Sequence, residues 1–123
     1  MKTTKSTRPT EITQAFIQIL EQHLEDILTG KAEEYLGIRD LAEKLFIHPT
    51  HLSNTIKATT GKSPCEICHE QTIAKAQQLL SDPALSVSAV AKKLTYDPSN
   101  FTKYFKHRTG LIPSEFKKLV LQT

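Results

Sequence analysis

Two sets of residues in this chain have side chains that could do chemistry. The first is Cys65-Glu66-Ile67-Cys68-His69, which has the spacing of a c-type haem attachment site. Haem attachment asks for an export route and a second axial ligand. Here Met1 to Arg8 lacks the apolar core of a signal peptide, and Met1 is the only methionine. Zinc would need a fourth ligand beyond Cys65, Cys68 and His69, and there is no second cysteine pair to supply it. Residues three apart on a helix are neighbours, so a thiol switch stays open on spacing, although a continuous helix suits an unstrained disulfide poorly. The favoured reading is two reduced, packed thiols. The serines and histidines come with no phosphate-cradling glycine loop and no strand-borne nucleophile elbow. The chain is therefore expected to hold no metal or cofactor and to be no enzyme.

The second set is Thr50, His51, Ser53, Asn54 and Lys57, with a counterpart in Ser99, Asn100, Thr102, Lys103 and Lys106. Hydroxyls, amides and amines dominate both, and neither contains an acid. The base edges of a DNA major groove offer acceptors and amino donors that Asn, Ser, Thr and Lys can match, while phosphates attract amines and backbone N–H groups. The bland alternative is the solvated face of a helix bundle, but such faces normally mix both signs of charge.

The elements that must position these sets follow from an internal repeat. Leu36 recurs as Leu85, Ala42 as Ala91, Leu45 as Leu94, Pro49 as Pro98, Gly61 as Gly110 and Pro64 as Pro113. The interval is fixed and without gaps (85 − 36 = 110 − 61 = 49). In each copy a short apolar stripe (Ile38, Leu41, Ala42, Leu45; then Val87, Val90, Ala91, Leu94) is followed by a tight turn. A proline suited to the first position of a helix comes next, then a second stripe (Leu52, Ile56; then Phe101, Phe105) closed by a glycine. That order describes a helix-turn-helix unit built twice.

Before the first copy, Thr10 is placed to cap a helix carrying Ile12, Phe16, Leu20, Leu24, Ile27 and Leu28, which Gly30 stops. Between the copies, Ser63, Pro64 and Glu66 form a capping-box pattern opening a helix with Ile67, Ala74, Ala76, Leu79 and Leu80 as its apolar positions. A closing helix after Pro113 uses Phe116, Leu119 and Val120. The expected fold is all-α: two helix-turn-helix subdomains joined by a long linker helix, homeodomain-like in plan. The expected boundaries are a disordered basic tail over 1–9, a first subdomain over 10–62, the linker over 63–82 and a second subdomain over 83–123.

The net charge of +3 is unevenly spread. Lys and Arg fall one short of Asp and Glu up to Gly61 and exceed them by four from Lys62 onward, which favours an anionic partner met mainly by the second half. No apolar run approaches the roughly 20 residues of a membrane span, so a cytoplasmic protein without membrane contact is expected.

These stretches together resemble the DNA-binding domain of the AraC/XylS family of bacterial transcription regulators, over about Thr10 to Leu121. The resemblance rests on Ile38-Arg39-Asp40-Leu41-Ala42-Glu43-Lys44-Leu45, Pro49-Thr50-His51-Leu52-Ser53 and Thr60-Gly61-Lys62-Ser63-Pro64. Ala74-Lys75-Ala76 with Leu79-Leu80 adds to it, as does Asp97-Pro98-Ser99-Asn100-Phe101 running on to Gly110 and Pro113. It implies two recognition helices, near 49–60 and 98–109, entering adjacent major-groove segments of promoter or operator DNA, with RNA polymerase recruited or blocked nearby. Carried over by position, it implies base contacts from Thr50, Ser53, Asn54, Lys57, Ser99, Thr102 and Lys103. The implied phosphate contacts are His51, Asn100, Lys106 and Arg108. Thr95-Tyr96 stands where the family usually has Gly-Phe, and Thr72 where it commonly has Arg.

Two unlike lobes suit an asymmetric site and a domain that is monomeric on DNA, and a stiff linker asks the DNA to bend or the lobes to adjust. The competing class is a protein-interaction module that keeps this fold without binding DNA. No effector-binding segment is legible, so the chain either works alone or is one piece of a longer regulator.

Overall fold

Proline, glycine and small polar residues decide where the helices start and stop. Among the described residues, 4–122 of this computed structural model, there are seven helices and no strand. They are α1 (Thr4–Thr29), α2 (Ile38–Lys44), α3 (Pro49–Thr60), α4 (Pro64–Leu80), α5 (Val87–Lys93), α6 (Pro98–Thr109) and α7 (Pro113–Leu121). Pro49, Pro64, Pro98 and Pro113 each occupy a first helical turn, where a missing N–H costs nothing. Gly30, Gly61 and Gly110 end α1, α3 and α6 at φ of 84°, 76° and 87°, a left-handed conformation that a Cβ would disfavour.

The expected start of α1 at Thr10 needs correcting. The helix begins at Thr4 and carries Pro9 inside it, so residues 4–9 of the expected tail are helical, while 1–3 lie outside the described residues. Arg8, Thr10 and Glu11 are exposed, Pro9 is half-buried and the first fully buried residue is Ile12, so no apolar pattern marks the helix before Thr10.

The core has two centres. Ile12, Phe16 and Leu20 of α1, Leu41 and Ala42 of α2, Leu52 and Ile56 of α3, and Ile67 of α4 form one. Ile73, Ala76 and Leu80 of α4, Val90 and Ala91 of α5, Leu94, and Phe101 and Phe105 of α6 form the other. Two expected positions are corrected: Ala74 is exposed and its neighbour Ile73 is buried, and Leu119 of α7 is 55% exposed. In both cases a residue next to the buried line had been assigned to it. At about 100° per residue, Ile73, Ala76 and Leu80 share a side of α4 that Ala74 leaves.

The lobes are braced twice. Besides α4, the last turn of α1 crosses over, and Leu28 packs on the second centre. Lys75 of α4 pairs with Glu25 of α1 at 3.3 Å. In the connector before α2, the Tyr35 hydroxyl donates to the Leu94 carbonyl at 2.7 Å, and the Tyr35 ring lies 5.9 Å from that of Tyr96.

Both helix-turn-helix turns are Schellman closures. Ile47 N–H donates to Ala42 and Phe46 N–H to Glu43, each at 3.0 Å. Tyr96 N–H donates to Ala91 at 2.8 Å and Thr95 N–H to Lys92 at 2.9 Å. This closure needs a left-handed residue, and the chain supplies Phe46 (φ 58°) and Thr95 (φ 64°) instead of glycine. Phe46 is 96% exposed, so its strain is offset by no packing of its own. Phe46→Gly is therefore expected to raise unfolding stability by about 1 kcal/mol in a denaturant titration. A loss of stability would show that the ring packs in solution.

Candidate nucleic-acid interface

The two helices that present the polar faces are fixed by different caps and identical stops. The His48 Nδ1 accepts from the Thr50 N–H at 3.1 Å to start α3. Asp97 does the same for α6, one carboxylate oxygen accepting from Ser99 at 3.1 Å and Asn100 at 3.4 Å. At the other ends, the Thr60 hydroxyl donates to the Ile56 carbonyl at 2.7 Å and accepts from the Lys62 N–H at 3.1 Å. Thr109 repeats the arrangement with Phe105 at 2.8 Å and Leu111 at 3.2 Å.

Burial of Leu52 and Ile56, and of Phe101 and Phe105, sets what is left outside. By helical periodicity, Thr50, Asn54 and Lys57 lie opposite the buried line of α3, with Ser53 and His51 on its flanks. In α6 the same positions hold Ser99, Lys103 and Lys106, flanked by Thr102 and Asn100. All are exposed except Ser53 and Thr102, which are half-buried. The Thr102 hydroxyl donates to the Pro98 carbonyl at 3.0 Å, leaving its oxygen as an acceptor. Lys57, Lys103 and Lys106 take no part in the ion pairs seen among the described residues, Lys62–Glu70, Lys75–Glu25 and Arg108–Glu66.

Arg108 is the expected contact that the geometry turns away. Seven residues after Phe101, it lies on nearly the same side of α6, and its guanidinium donates to Glu66 of α4 at 2.9 Å. That pair also uses the carboxylate expected to complete the capping box of α4. The Ser63 hydroxyl accepts from the Glu66 N–H at 3.1 Å as predicted, but the Glu66 side chain reaches across to the other lobe.

His107 was missed. It is exposed, and its place four residues after Lys103 puts it on the outward flank of α6. The helical wheel could have found it, but its counterpart in the first copy is Ala58, so the repeat concealed it.

The junction between the lobes was not legible either. Tyr96, in the place of the family's usual phenylalanine, stacks on Tyr104 at 5.3 Å, and the Tyr104 hydroxyl meets the His69 Nδ1 at 2.7 Å. Burial pushes the phenols of Tyr35 and Tyr104 well above their ordinary value, so both stay protonated and able to donate. Burial likewise pushes the Cys68 thiol up to about 11, while Cys65 is exposed; both are free thiols. No three His, Cys, Asp or Glu side chains among the described residues are grouped as metal donors. Nor does any helix among them have the length and apolarity to cross a membrane.

A family profile described as a helix-turn-helix domain matches residues 41–119. An uncharacterised HTH-type transcriptional regulator of Bacillus subtilis, YfiF, is 28% identical over 115 residues, covering 94% of this chain and 35% of the relative. The arabinose operon regulatory protein of Escherichia coli is 29% identical over 97 residues, covering 78% of this chain and 32% of the relative. The chain thus spans about a third of the length of each. Among solved structures, the C-terminal domain of AraT, a response regulator from Geobacillus stearothermophilus, superposes with a TM-score of 0.74 at 25% identity. That match covers 88% of this chain and 84% of the other.

The cap of α6 yields a stability test. Asp97→Ala leaves two first-turn N–H groups without their acceptor and is expected to cost about 1 kcal/mol by chemical denaturation. Asp97→Asn should recover most of that loss, and equal losses would assign the effect to charge instead of capping.

Proposed function

The chain belongs to the AraC-type helix-turn-helix family, and from that premise we propose that it reads double-stranded promoter or operator DNA to regulate transcription. In this reading α3 and α6 enter neighbouring segments of the major groove. The observation that carries it is the pair of exposed helix faces, built on one repeated scaffold, that offer hydrogen-bonding groups and unpaired amines and contain no carboxylate. Base edges are met by Thr50, Ser53, Asn54 and Lys57 of α3 and by Ser99, Thr102 and Lys103 of α6. His51, Asn100 and Lys106 meet phosphates, and His107 joins them. Arg108 stays with Glu66 and acts by holding α6 against α4. The chain binds as a monomer to an asymmetric site beside RNA polymerase, in the cytoplasm, and catalyses nothing.

The test begins with a site selected from random duplexes. On that site, affinity is expected to fall steeply with salt, as several neutralised phosphates require. Asn54→Ala and Lys103→Ala should each cost about 1–3 kcal/mol and relax specificity at one position. Equal weakening on all sequences would reassign them to phosphate. Duplex affinity indifferent to salt would end the DNA reading and leave the protein-interaction module.

Two braces between the lobes also make relative movement of α3 and α6 costly, so the DNA should do the bending. Phased-bend gel mobility should show a directed bend on the selected site. A straight duplex with both half-sites footprinted would refute this.

A further inference from the structure

Where the two lobes meet there is a cavity of about 280 Å³. Leu20 and Leu24 of α1, Leu36 of the connector and Ile38 of α2 give it apolar walls. Cys65, Cys68 and Thr72 line it from α4, and the rings of Tyr35 and Tyr96 close it toward the second lobe. No Asp, Glu, Lys or Arg borders it.

Several of the polar groups on its walls are already bonded within the protein, although the Gln71 amide also lines it. The His23 Nε2 accepts from the Leu36 N–H at 3.0 Å, Tyr35 donates to Leu94, His69 bonds Tyr104, and the Thr72 hydroxyl donates to the Cys68 carbonyl at 2.9 Å. Burial lowers the pKa of His23, outweighing the opposing pull of Asp26, so its ring carries no charge at neutral pH. Water in such a space finds few partners, and an ionic guest would lose its hydration with nothing to replace it.

We propose that this cavity is a binding site for a neutral, largely apolar small molecule of two or three aromatic rings, and that its occupancy weakens the grip of α6 on DNA. The size follows from the volume, which lies at the small end of ligand pockets. The coupling follows from what Tyr35 and Tyr96 touch. The Leu94 carbonyl held by Tyr35 belongs to the turn that aims α6, and Tyr96, in that same turn, stacks on Tyr104 of α6. A guest packed against both rings changes how they settle, and with them the turn. The ligand site stands by itself, and only the coupling rests on the DNA reading.

The probe is N-phenyl-1-naphthylamine, a neutral fluorophore that brightens in apolar surroundings, titrated into the whole chain without DNA. Saturable binding at one per chain is expected, weakened about tenfold or more by Cys68→Phe, which fills the cavity, and little changed by Gln18→Phe on the exposed side of α1, outside the lining. The anionic relative 8-anilinonaphthalene-1-sulfonate should bind about tenfold more weakly than the neutral probe. Non-saturating binding, or no effect of Cys68→Phe, overturns the site. Should that variant misfold, the wild-type chain decides: bound probe must slow alkylation of Cys68 by iodoacetamide more than that of Cys65, and no protection overturns the site.

In the second arm, saturating probe should weaken binding to the selected duplex about threefold or more, and by linkage the duplex should weaken probe binding by the same factor. Probe binding with unchanged duplex affinity overturns the coupling. No duplex binding even without probe refutes the DNA reading and the coupling with it, while the first arm still decides the cavity.

Discussion

One helix has to serve two cores, and most of the architecture follows from that requirement. Ile67 of α4 belongs to the first centre, and Ile73, Ala76 and Leu80 belong to the second. At about 100° per residue these three point to the side of the helix roughly opposite Ile67. α4 is therefore apolar on two sides and cannot slide or rotate to improve one core without damaging the other. Its 17 residues, about 26 Å of helix, also set the distance between the lobes. The C-terminal end is held by the Lys117 amine, which donates to the Leu80 and Asp82 carbonyls at 3.2 and 2.8 Å. α1 adds a second strut, so the pair behaves as a frame and not as a hinge.

The repeat lets one structural solution be used twice, and the differences between the copies show where each is adapted. Both turns close by the same two backbone bonds, and both second helices end on the same threonine arrangement. The residues after the left-handed position differ: Ile47 packs on the first core, whereas Tyr96 is part of the aromatic contact between lobes. The first turn is thus free of the junction and the second is built into it.

Much of this was written locally in the chain. Pro49, Pro98, Gly61 and Gly110 mark helix ends by backbone chemistry that needs no tertiary context, and the fixed interval made each copy support the other. The outward positions followed from the same periodicity. What escaped was what depends on partners distant in sequence. The bond from Tyr35 to Leu94, the packing of Leu28 on the second core and the turning of Arg108 toward Glu66 all join residues far apart in the chain. No local pattern distinguishes an arginine aimed at phosphate from one aimed at a carboxylate on another helix. Ala74 and Leu119 were misplaced for a smaller reason, since one residue of error on a helix is a rotation of about 100°.

The two faces are alike in geometry and unlike in charge, which divides their work if both meet a duplex. α3 offers Thr50, Ser53 and Asn54 around a single free amine, Lys57, so what it contributes is mainly hydrogen-bond matching to base edges. α6 offers Lys103 and Lys106 with His107 beside them, and its arginine is already neutralised by Glu66. Its contribution is weighted toward phosphate attraction, which acts at longer range and is screened by salt. On the proposed reading α6 then adds the longer-range attraction to its own base contacts, while α3 contributes mainly base contacts. Because the frame fixes α3 relative to α6, capture by one delivers the other to the groove already oriented, and little conformational freedom is left to lose at the reading step.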